Sequence, residues 1–197
     1  MNPKISEILQ RIRALEAELE RELESRREAF QVRFEHHRVR FAQEILQRQK
    51  QFKTNLIAYL LQGNLRHLLS APIIYSMIVP LAILDLSITL FQRLCFPLYR
   101  IQLVKRSDHM AFDHRHLAYL NLLEKFNCLY CSYGNGVVSY TREIIARIEQ
   151  YWCPIRHARC LLETHSHYNQ FVDYGDAEAY RRDLAMLRKQ LETTNTD

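Results

Sequence analysis

Residues 68–91 read LLSAPIIYSMIVPLAILDLSITLF and form the most apolar stretch of this 197-residue chain. The stretch contains a single charged residue, Asp85, whereas residues 1–40 carry nine Lys or Arg and eight Glu. At a rise of about 1.5 Å per residue, about 20 helical residues would cross the roughly 30 Å hydrocarbon layer of a bilayer. The sequence therefore predicts a membrane-embedded or re-entrant helical segment, which we place at residues 56–104.

Prolines and flanking charges bear on how this segment would meet a membrane. Pro72 and Pro80 interrupt the apolar run, and Asp85 lies inside it. Basic residues stand on both sides, namely Lys50, Lys53 and Arg66 before the segment and Arg93, Arg100, Lys105 and Arg106 after it. The positive-inside rule therefore gives little preference for either orientation. The pattern is typical of a re-entrant or monotopic hairpin bent near Pro80. A single span and the buried core helix of a soluble protein are the alternatives.

The region before this segment predicts one long helix over residues 4–53. No Gly or Pro occurs from 4 to 62, and apolar residues recur at intervals of three or four. The stripe comprises Ile5, Ile8, Ile12, Leu15, Leu19, Leu23, Phe30, Phe34, Phe41 and Ile45. A long polar helix cannot bury such a stripe against itself. We therefore predict a coiled coil at residues 1–55 that forms a homodimer or binds a protein partner; packing on the chain's own C-terminal helices is the alternative.

Residues 105–192 predict a helical Cys/His-rich domain, followed by a disordered tail at 193–197. The expected helices run from Asp113 to about Cys131, from Val137 to about Trp152, from Pro154 onward and from Ala177 to about Leu191, with turns at Gly134-Asn135-Gly136 and Asp173–Asp176. Four Gly and five Pro are about 5% of the chain, against an average near 12%. This scarcity disfavours a turn-rich β fold, and no Gly-rich phosphate-binding motif occurs. The predicted fold class is all-α.

Four residues of this domain follow the spacing of metal ligands. Cys128, Cys131, Cys153 and His157 form a C-x2-C-x21-C-x3-H pattern, and three thiolates with an imidazole suit a tetrahedral zinc site or an iron centre. An apolar leader is missing from the first residues, so we expect no cleavable signal peptide, reduced thiols, and cysteines acting as ligands or redox groups. Zinc or iron is the predicted cofactor.

A length check complicates a single shared metal site. If residues 137–152 form one unbroken helix, it is roughly 24 Å long and places Cys131 and Cys153 near opposite ends. A shared site then requires a shorter helix or a connection at 132–136 that folds back along it. Two separate clusters, or cysteines that bind no metal and pack as small apolar side chains, are the alternatives.

Several strings resemble segments of an uncharacterised bacterial family of membrane-associated helical proteins. They are HLAYLNLLEKFNCLYCSYGNG (116–136), YWCPIRHARC (151–160) and DYGDAEAY (173–180), with the similar CFPLYRI (95–101) just before them. The likeness covers roughly residues 70–180 and implies a bacterial inner-membrane setting in which the Cys and His residues belong to one functional unit. It implies no catalytic role.

These observations lead to one main functional hypothesis and two alternatives. The main hypothesis is a helical protein at the cytoplasmic face of an inner membrane, with a structural or redox Cys/His metal site and a coiled coil for oligomerisation or partner recruitment. The alternatives are a metal-free membrane scaffold or adaptor acting through its coiled coil, and a membrane-bound enzyme that acts on a lipid or quinone at Asp85 and the His-rich segment. A net charge of +5 spread over amphipathic segments, without a recognised module, makes nucleic acid an unlikely partner.

Overall fold

The computed structural model describes residues 3–29, 32–35, 38–41, 43–55 and 65–192. The described chain is mostly helical, which confirms the all-α class. Its helices are α1 (Pro3–Ala29), α2 (Gln43–Gln51), α3 (Leu65–Ser76), α4 (Ile78–Leu98), α5 (Leu122–Trp152) and α6 (Ala177–Lys189), and strands β1 (Val32–Glu35) and β2 (Arg38–Phe41) pair between α1 and α2. The predicted tail at 193–197 and the beginning of the predicted 56–104 segment lie outside the described residues.

The predicted single helix over 4–53 is wrong, because α1 ends at Ala29 and a β hairpin precedes α2. The two strands pair antiparallel, with Val32 opposite Phe41 and Phe34 opposite Val39. In both strands apolar and charged residues alternate, which is the period-2 pattern of a β-strand rather than that of a helix. Phe34 and Phe41, which we had assigned to the coiled-coil stripe, belong to this hairpin.

The chain forms two compact units that cut across the predicted domains. The first comprises residues 1–62 and 113–126, and the second comprises residues 63–112 and 127–197. In the first unit, the Gln49 side chain accepts a hydrogen bond of 3.1 Å from the Ala118 backbone amide. In the second unit, the apolar segment and the C-terminal helices share one fold instead of forming separate domains.

The apolar segment is nearly continuous helix, and the predicted hairpin bend near Pro80 is wrong. α3 and α4 are separated only at Met77, and α4 runs on through Pro80. A proline has no backbone N–H and its ring crowds the carbonyl four residues earlier, here that of Ser76. The helix therefore breaks locally at the α3–α4 junction, while the chain keeps its direction.

α3 and α4 pack along α5 with the two chain directions parallel. The contacts advance together in residue number: Tyr130 Oη donates to the Ile74 carbonyl at 2.6 Å, Gly134 faces Leu81, Gln92 bonds to Tyr140, and Tyr99 meets Tyr151 with ring centroids 5.0 Å apart. A parallel pair needs a return connection, and residues 99–112 begin it. This arrangement gives the α3–α4 segment one side that faces protein and one side that does not.

α5 is a single 31-residue helix, so the turn predicted at Gly134-Asn135-Gly136 is wrong. The two glycines serve close packing instead. A Cβ at Gly134 would lie 3.3 Å from Leu81 Cδ1, and a Cβ at Gly136 would collide with Met110 Sδ and lie 2.9 Å from the His109 carbonyl oxygen. Tertiary contact thus uses the missing side chains, although the local sequence resembles a turn.

The start of α5 also differs from the prediction of a helix capped by Asp113. Residues Asp113–His116 form only a short 3-10 turn. The helix begins after Asn121, whose side chain accepts from the Glu124 amide at 2.9 Å while the Glu124 carboxylate accepts from the Asn121 amide at 2.8 Å. This reciprocal pair is a capping box, which satisfies two amides at the helix start.

The helix predicted to start at Pro154 is absent, whereas the last helix is confirmed. Ile155 and Val172 form an isolated parallel bridge, in which the Pro154 carbonyl accepts from Val172 N at 2.9 Å. These backbone groups therefore have partners outside any helix, and only a 3-10 turn follows at Ser166–Gln170. Asp176 caps α6 as predicted, accepting from the Ala179 amide at 2.9 Å.

The core of the second unit gathers where α4, α5 and the end of the chain meet. Its largest buried cluster comprises Phe96, Ile101, Val104, Tyr140, Ile144 and Leu191. Gln102 N donates to the Leu191 carbonyl at 3.0 Å, which ties the segment after α4 to the segment after α6. A smaller cluster of Val172, Ala179 and Leu187 seats α6.

Candidate membrane-contact surface and the predicted metal ligands

One side of α3–α4, which we call the outer face, is an uninterrupted apolar stripe. Its members are Leu69, Ile73, Val79, Ile83, Leu86, Leu90, Leu94 and Leu98, each between 55% and 78% exposed. They recur mostly every three or four residues, as one helical face requires. The helix from Leu69 to Leu98 is long and apolar enough to cross a membrane, and only 6% of its most apolar 18-residue stretch is buried. A core helix of a soluble protein would be mostly buried.

The opposite side, the inner face, carries Asp85 and Gln92 and contacts protein, whereas Ser76, Ser87 and Arg93 of the segment are exposed. It comprises Tyr75, Asp85, Ile88, Gln92, Phe96 and Tyr99. These positions follow one another at helical spacing, and Asp85 and Gln92 are separated by two turns. Tyr75 donates to Asn127 Oδ1 at 2.5 Å and its ring stands edge-on to Tyr130.

Asp85 is held in this packed face by a cation and a phenol. Arg106 Nη2 lies 2.5 Å from Asp85 Oδ2, and Tyr133 Oη donates to the same oxygen at 3.0 Å. The Asp85 side chain is 13% exposed, whereas Arg106 is 48% exposed, so water reaches the cation and screens the ion pair. Burial, with the Asp85 hydrogen bond next, raises the pKa of Tyr133. The Asp85 carboxylate therefore has partners within the fold, and its position in an apolar segment is no longer an argument for a lipid or quinone site.

Gln92 fastens the return segment to α4. Its Oε1 accepts from Val104 N at 3.1 Å, its Nε2 donates to the Val104 carbonyl at 3.3 Å, and it also bonds to the Tyr140 hydroxyl. Gln92 is 4% exposed and Tyr140 is 1% exposed. Buried amide groups require partners, and here each one has them. This network holds residue 104 against the inner face.

The distribution of polarity over α3–α4 is therefore the reverse of that on a helix at the surface of a soluble protein. Such a helix turns its apolar stripe to the core and its charges to water. Here the carboxylate and the amide face protein, and the exposed side is apolar. This reversal suits a helix whose outer face meets hydrocarbon, where polar groups are placed against protein.

The structure does not bring the four predicted metal ligands together. Cys128 and Cys131 lie in the first half of α5, and Cys153 follows its end, so about 33 Å separate Cys131 from Cys153 along the unbroken helix. His157 lies beyond Cys153 and stacks on Tyr168. All cysteines are free, and Cys131 and Cys153 are exposed.

The shared zinc or iron site within one chain is therefore a wrong prediction, because the turn that would have folded residues 132–136 back does not exist. Among the residues that the structure describes, no three His, Cys, Asp or Glu side chains are grouped so as to hold a metal ion. Within one chain, the three cysteines and His157 therefore do not fit the predicted zinc or iron ion.

A different polar cluster lies on the second half of α5. Glu143 Oε1 is 3.1 Å from His167 Nε2 and 2.9 Å from Arg147 Nε. His167 Nδ1 is 2.6 Å from Gln150 Oε1, and Gln150 Nε2 donates to the Leu187 carbonyl at 2.8 Å. Because that carbonyl can only accept, the amide orientation of Gln150 is fixed, and both ring nitrogens of His167 face acceptors.

The carboxylate of this cluster is strongly stabilised in its charged form. The hydrogen bond from His167, with a smaller one from Arg147, lowers the pKa of Glu143 from 4.5 to about 2, against the opposing effect of burial. A separate pair lies one and a half turns further on, where His165 Nε2 is 3.0 Å from Glu149 Oε2. The His-rich segment at 165–167 is thus joined to α5 by two carboxylates, which gives these histidines a structural role.

No family model, curated protein or solved structure matches the chain. Over the residues that the structure describes, the protein is mostly helical and has one helix long and apolar enough to cross a membrane, on which Asp85 and Gln92 face protein.

Two features of this surface were missed in the sequence. Asp85 and Gln92 are seven residues apart in an otherwise apolar run, and two helical turns put them on one face; this spacing could have identified the protein-facing side. The partners Arg106 and Tyr133 carry no comparable signal, because they come from an irregular segment and from a helix 48 residues away.

Proposed function

We propose that this protein is a membrane-associated helical protein that contacts a lipid bilayer through the outer face of α3–α4. The observation that carries the proposal is the reversed polarity of that helix. An apolar stripe this long is unusual on a soluble monomer, where contiguous apolar patches rarely exceed a few hundred Å². A bacterial inner membrane, which the sequence resemblance implies, and its cytoplasmic face, which belongs to our main hypothesis, are parts of the proposal.

Flotation with lipid vesicles tests the contact surface directly. Ile83→Glu and Leu90→Glu place a charge on the outer face without touching the inner-face contacts, and we expect each to lower the bound fraction strongly. Met186→Glu is the matched control, because Met186 is 55% exposed on α6, away from this face. Wild-type protein that stays in the aqueous fraction, or outer-face variants that float like the wild type, would refute the proposal.

An adaptor role through α1 is the second candidate function. The Ile8, Ile12, Leu15, Leu19 and Leu23 stripe of α1 is between 40% and 64% exposed. A stripe of this kind is covered when two helices form a coiled coil, in a homodimer or with a protein partner. The shorter α1 keeps the stripe up to Leu23, so the coiled-coil interpretation applies to Pro3–Ala29 rather than to 1–55.

The oligomeric state tests this second role. We expect Leu15→Glu with Leu19→Glu to convert a dimer to a monomer in light scattering after size exclusion. Glu16→Gln with Glu20→Gln changes charge outside the stripe and serves as the control. A wild-type chain that is monomeric and captures no partner helix through α1 would contradict the adaptor role.

A further inference from the structure

The segments packed beside α3–α4 limit how much of it can lie in hydrocarbon. At one level, Arg106 is bound to Asp85, and Val104 is bound to Gln92. The return segment 101–108 therefore runs beside α4 over this stretch. Its backbone is irregular apart from one 3-10 turn, and its exposed residues include Lys105, Ser107 and Asp108.

The outer face continues along α4 past this level. Leu86, Leu90, Leu94 and Leu98 lie beyond Asp85 and are between 55% and 78% exposed. Irregular backbone and exposed charges do not occur against lipid in the hydrocarbon region.

A perpendicular span could therefore use only the part of the helix before Asp85. From Leu65 to Asp85 there are twenty residues, or about 30 Å, and the second half of the outer face would be left in water. The outer face from Leu69 to Leu98 is about 44 Å long and apolar throughout. A helix that lies parallel to the membrane surface can bury the whole of that face and keep the return segment in the aqueous phase.

Charge identifies the kind of membrane. From 65 to 106 the basic residues Arg66, Arg93, Arg100 and Lys105 are exposed. Asp85 is the sole acidic residue in this range, and it is already paired with Arg106. The exposed Asp108 of the return segment offsets only one of these four cations, so the charge beside the outer face is net positive, which favours negatively charged lipid headgroups.

We propose that α3–α4 is a monotopic anchor: it lies in the plane of an anionic membrane surface, outer face in the acyl–headgroup boundary and inner face on α5, and it does not cross the bilayer. This inference rests on the proposed membrane association. It assigns the orientation and the lipid class that the proposed function leaves open.

Position-specific fluorescence on the full chain separates in-plane binding from a span. In a background with all five cysteines replaced by serine, single cysteines at Leu69, Ile83 and Leu98 carry the fluorophore NBD. The protein is added to preformed phosphatidylcholine vesicles that contain roughly 30–40% phosphatidylglycerol, so that the vesicle surface presents anionic headgroups. Dithionite, which does not cross the bilayer, is then added outside. In-plane binding predicts similar reduction at all three positions and similar shallow quenching by spin-labelled lipids.

A span gives a different pattern. One end position would be protected in the vesicle lumen, and Ile83 would be quenched most deeply; that result overturns the anchor but leaves membrane association intact. No flotation at all refutes the proposed function itself. A third outcome is a dimer that forms without lipid, shields the NBD groups and does not float. That result would assign the outer face to a second copy of the chain and would likewise overturn the anchor.

The lipid class has its own test with the same vesicles. Each basic residue near an anionic surface contributes about a fivefold change in affinity, so Arg66→Gln with Arg93→Gln should weaken binding about 25-fold. Arg181→Gln with Arg182→Gln, exposed on α6, is the matched control. Equal binding to pure phosphatidylcholine vesicles, or an unchanged affinity in the first pair, would refute the requirement for anionic lipid.

Discussion

The stability of the second unit should depend on pH through Glu143. Its carboxylate has a pKa of about 2 in the folded chain because His167 and Arg147 donate to it, whereas the unfolded value is near 4.5. Because the pKa of the carboxylate is lower in the folded chain than in the unfolded chain, the charged carboxylate stabilises the fold at pH values above about 4.5. This contribution is lost as the pH falls from about 4.5 towards 2. A shift of about 2.5 pH units corresponds to about 3 kcal/mol. Water reaches part of this side chain and screens the interaction, so about 3 kcal/mol is an upper limit.

The assay is urea unfolding followed by the fluorescence of Trp152, the single tryptophan, which ends α5. We expect the wild type to be more stable than Glu143→Gln near pH 6 by up to about 3 kcal/mol, and this difference to shrink as pH falls to 2. Glu163→Gln is the control, because Glu163 is 84% exposed and its ion pair with Arg142 is long at 3.7 Å. A difference between wild type and Glu143→Gln that stays constant from pH 6 to pH 2 would refute the reasoning.

Three further tests have outcomes that the packing determines. Gly136→Ala should destabilise the unit by about 1–3 kcal/mol, because the added methyl collides with Met110 and a backbone carbonyl. Gly134→Ala meets only one flexible side chain at 3.3 Å and should destabilise the unit less. Urea unfolding compares the two variants. Gln92→Leu should cost about 2–4 kcal/mol in the same assay, since it leaves buried backbone groups without partners; loss below 1 kcal/mol would contradict the network. Cys128→Ser with Cys131→Ser should change the melting temperature by no more than a few degrees, with or without added zinc, because no shared site depends on these thiols; unfolding of the C-terminal region would contradict this.

The parts of the fold that local patterns determine were predictable. The apolar run at 68–91 is helical, as its length predicts, because strands are usually much shorter than this run. Asp176 caps α6 because a short acceptor side chain just before Ala177 meets the free amides of the first turn. Both features depend only on residues close in sequence.

The parts that failed depend on residues distant in sequence. Gly134 and Gly136 favour a turn by themselves, yet they allow α4 and residues 109–110 to approach α5 closely, and that packing keeps the helix intact. The β1–β2 hairpin was hidden because Phe34 and Phe41 fit both a helical stripe and an alternating strand. Such overlaps are resolved by tertiary contacts that no local pattern contains.

The candidate surface was predicted in part. Composition identified the apolar segment, but its two sides could be told apart only when Asp85 and Gln92 were seen to face protein. The Cys and His spacing indicated a metal site because a spacing in sequence does not show that a straight helix separates Cys131 from Cys153. Ligand spacing is informative only when the intervening chain can fold back.

The parallel alignment of α4 and α5 also imposes an order on biosynthesis. Gln92 meets Tyr140, which is added to the nascent chain 48 residues later. At about 5–20 residues per second, the ribosome takes roughly 2–10 s to supply that partner. Until then α5 cannot cover either side of α4, so the outer-face leucines could meet an apolar environment before Gln92 and Asp85 are enclosed. Early capture of the nascent helix at lipid would leave those two polar groups free for α5 to close over them.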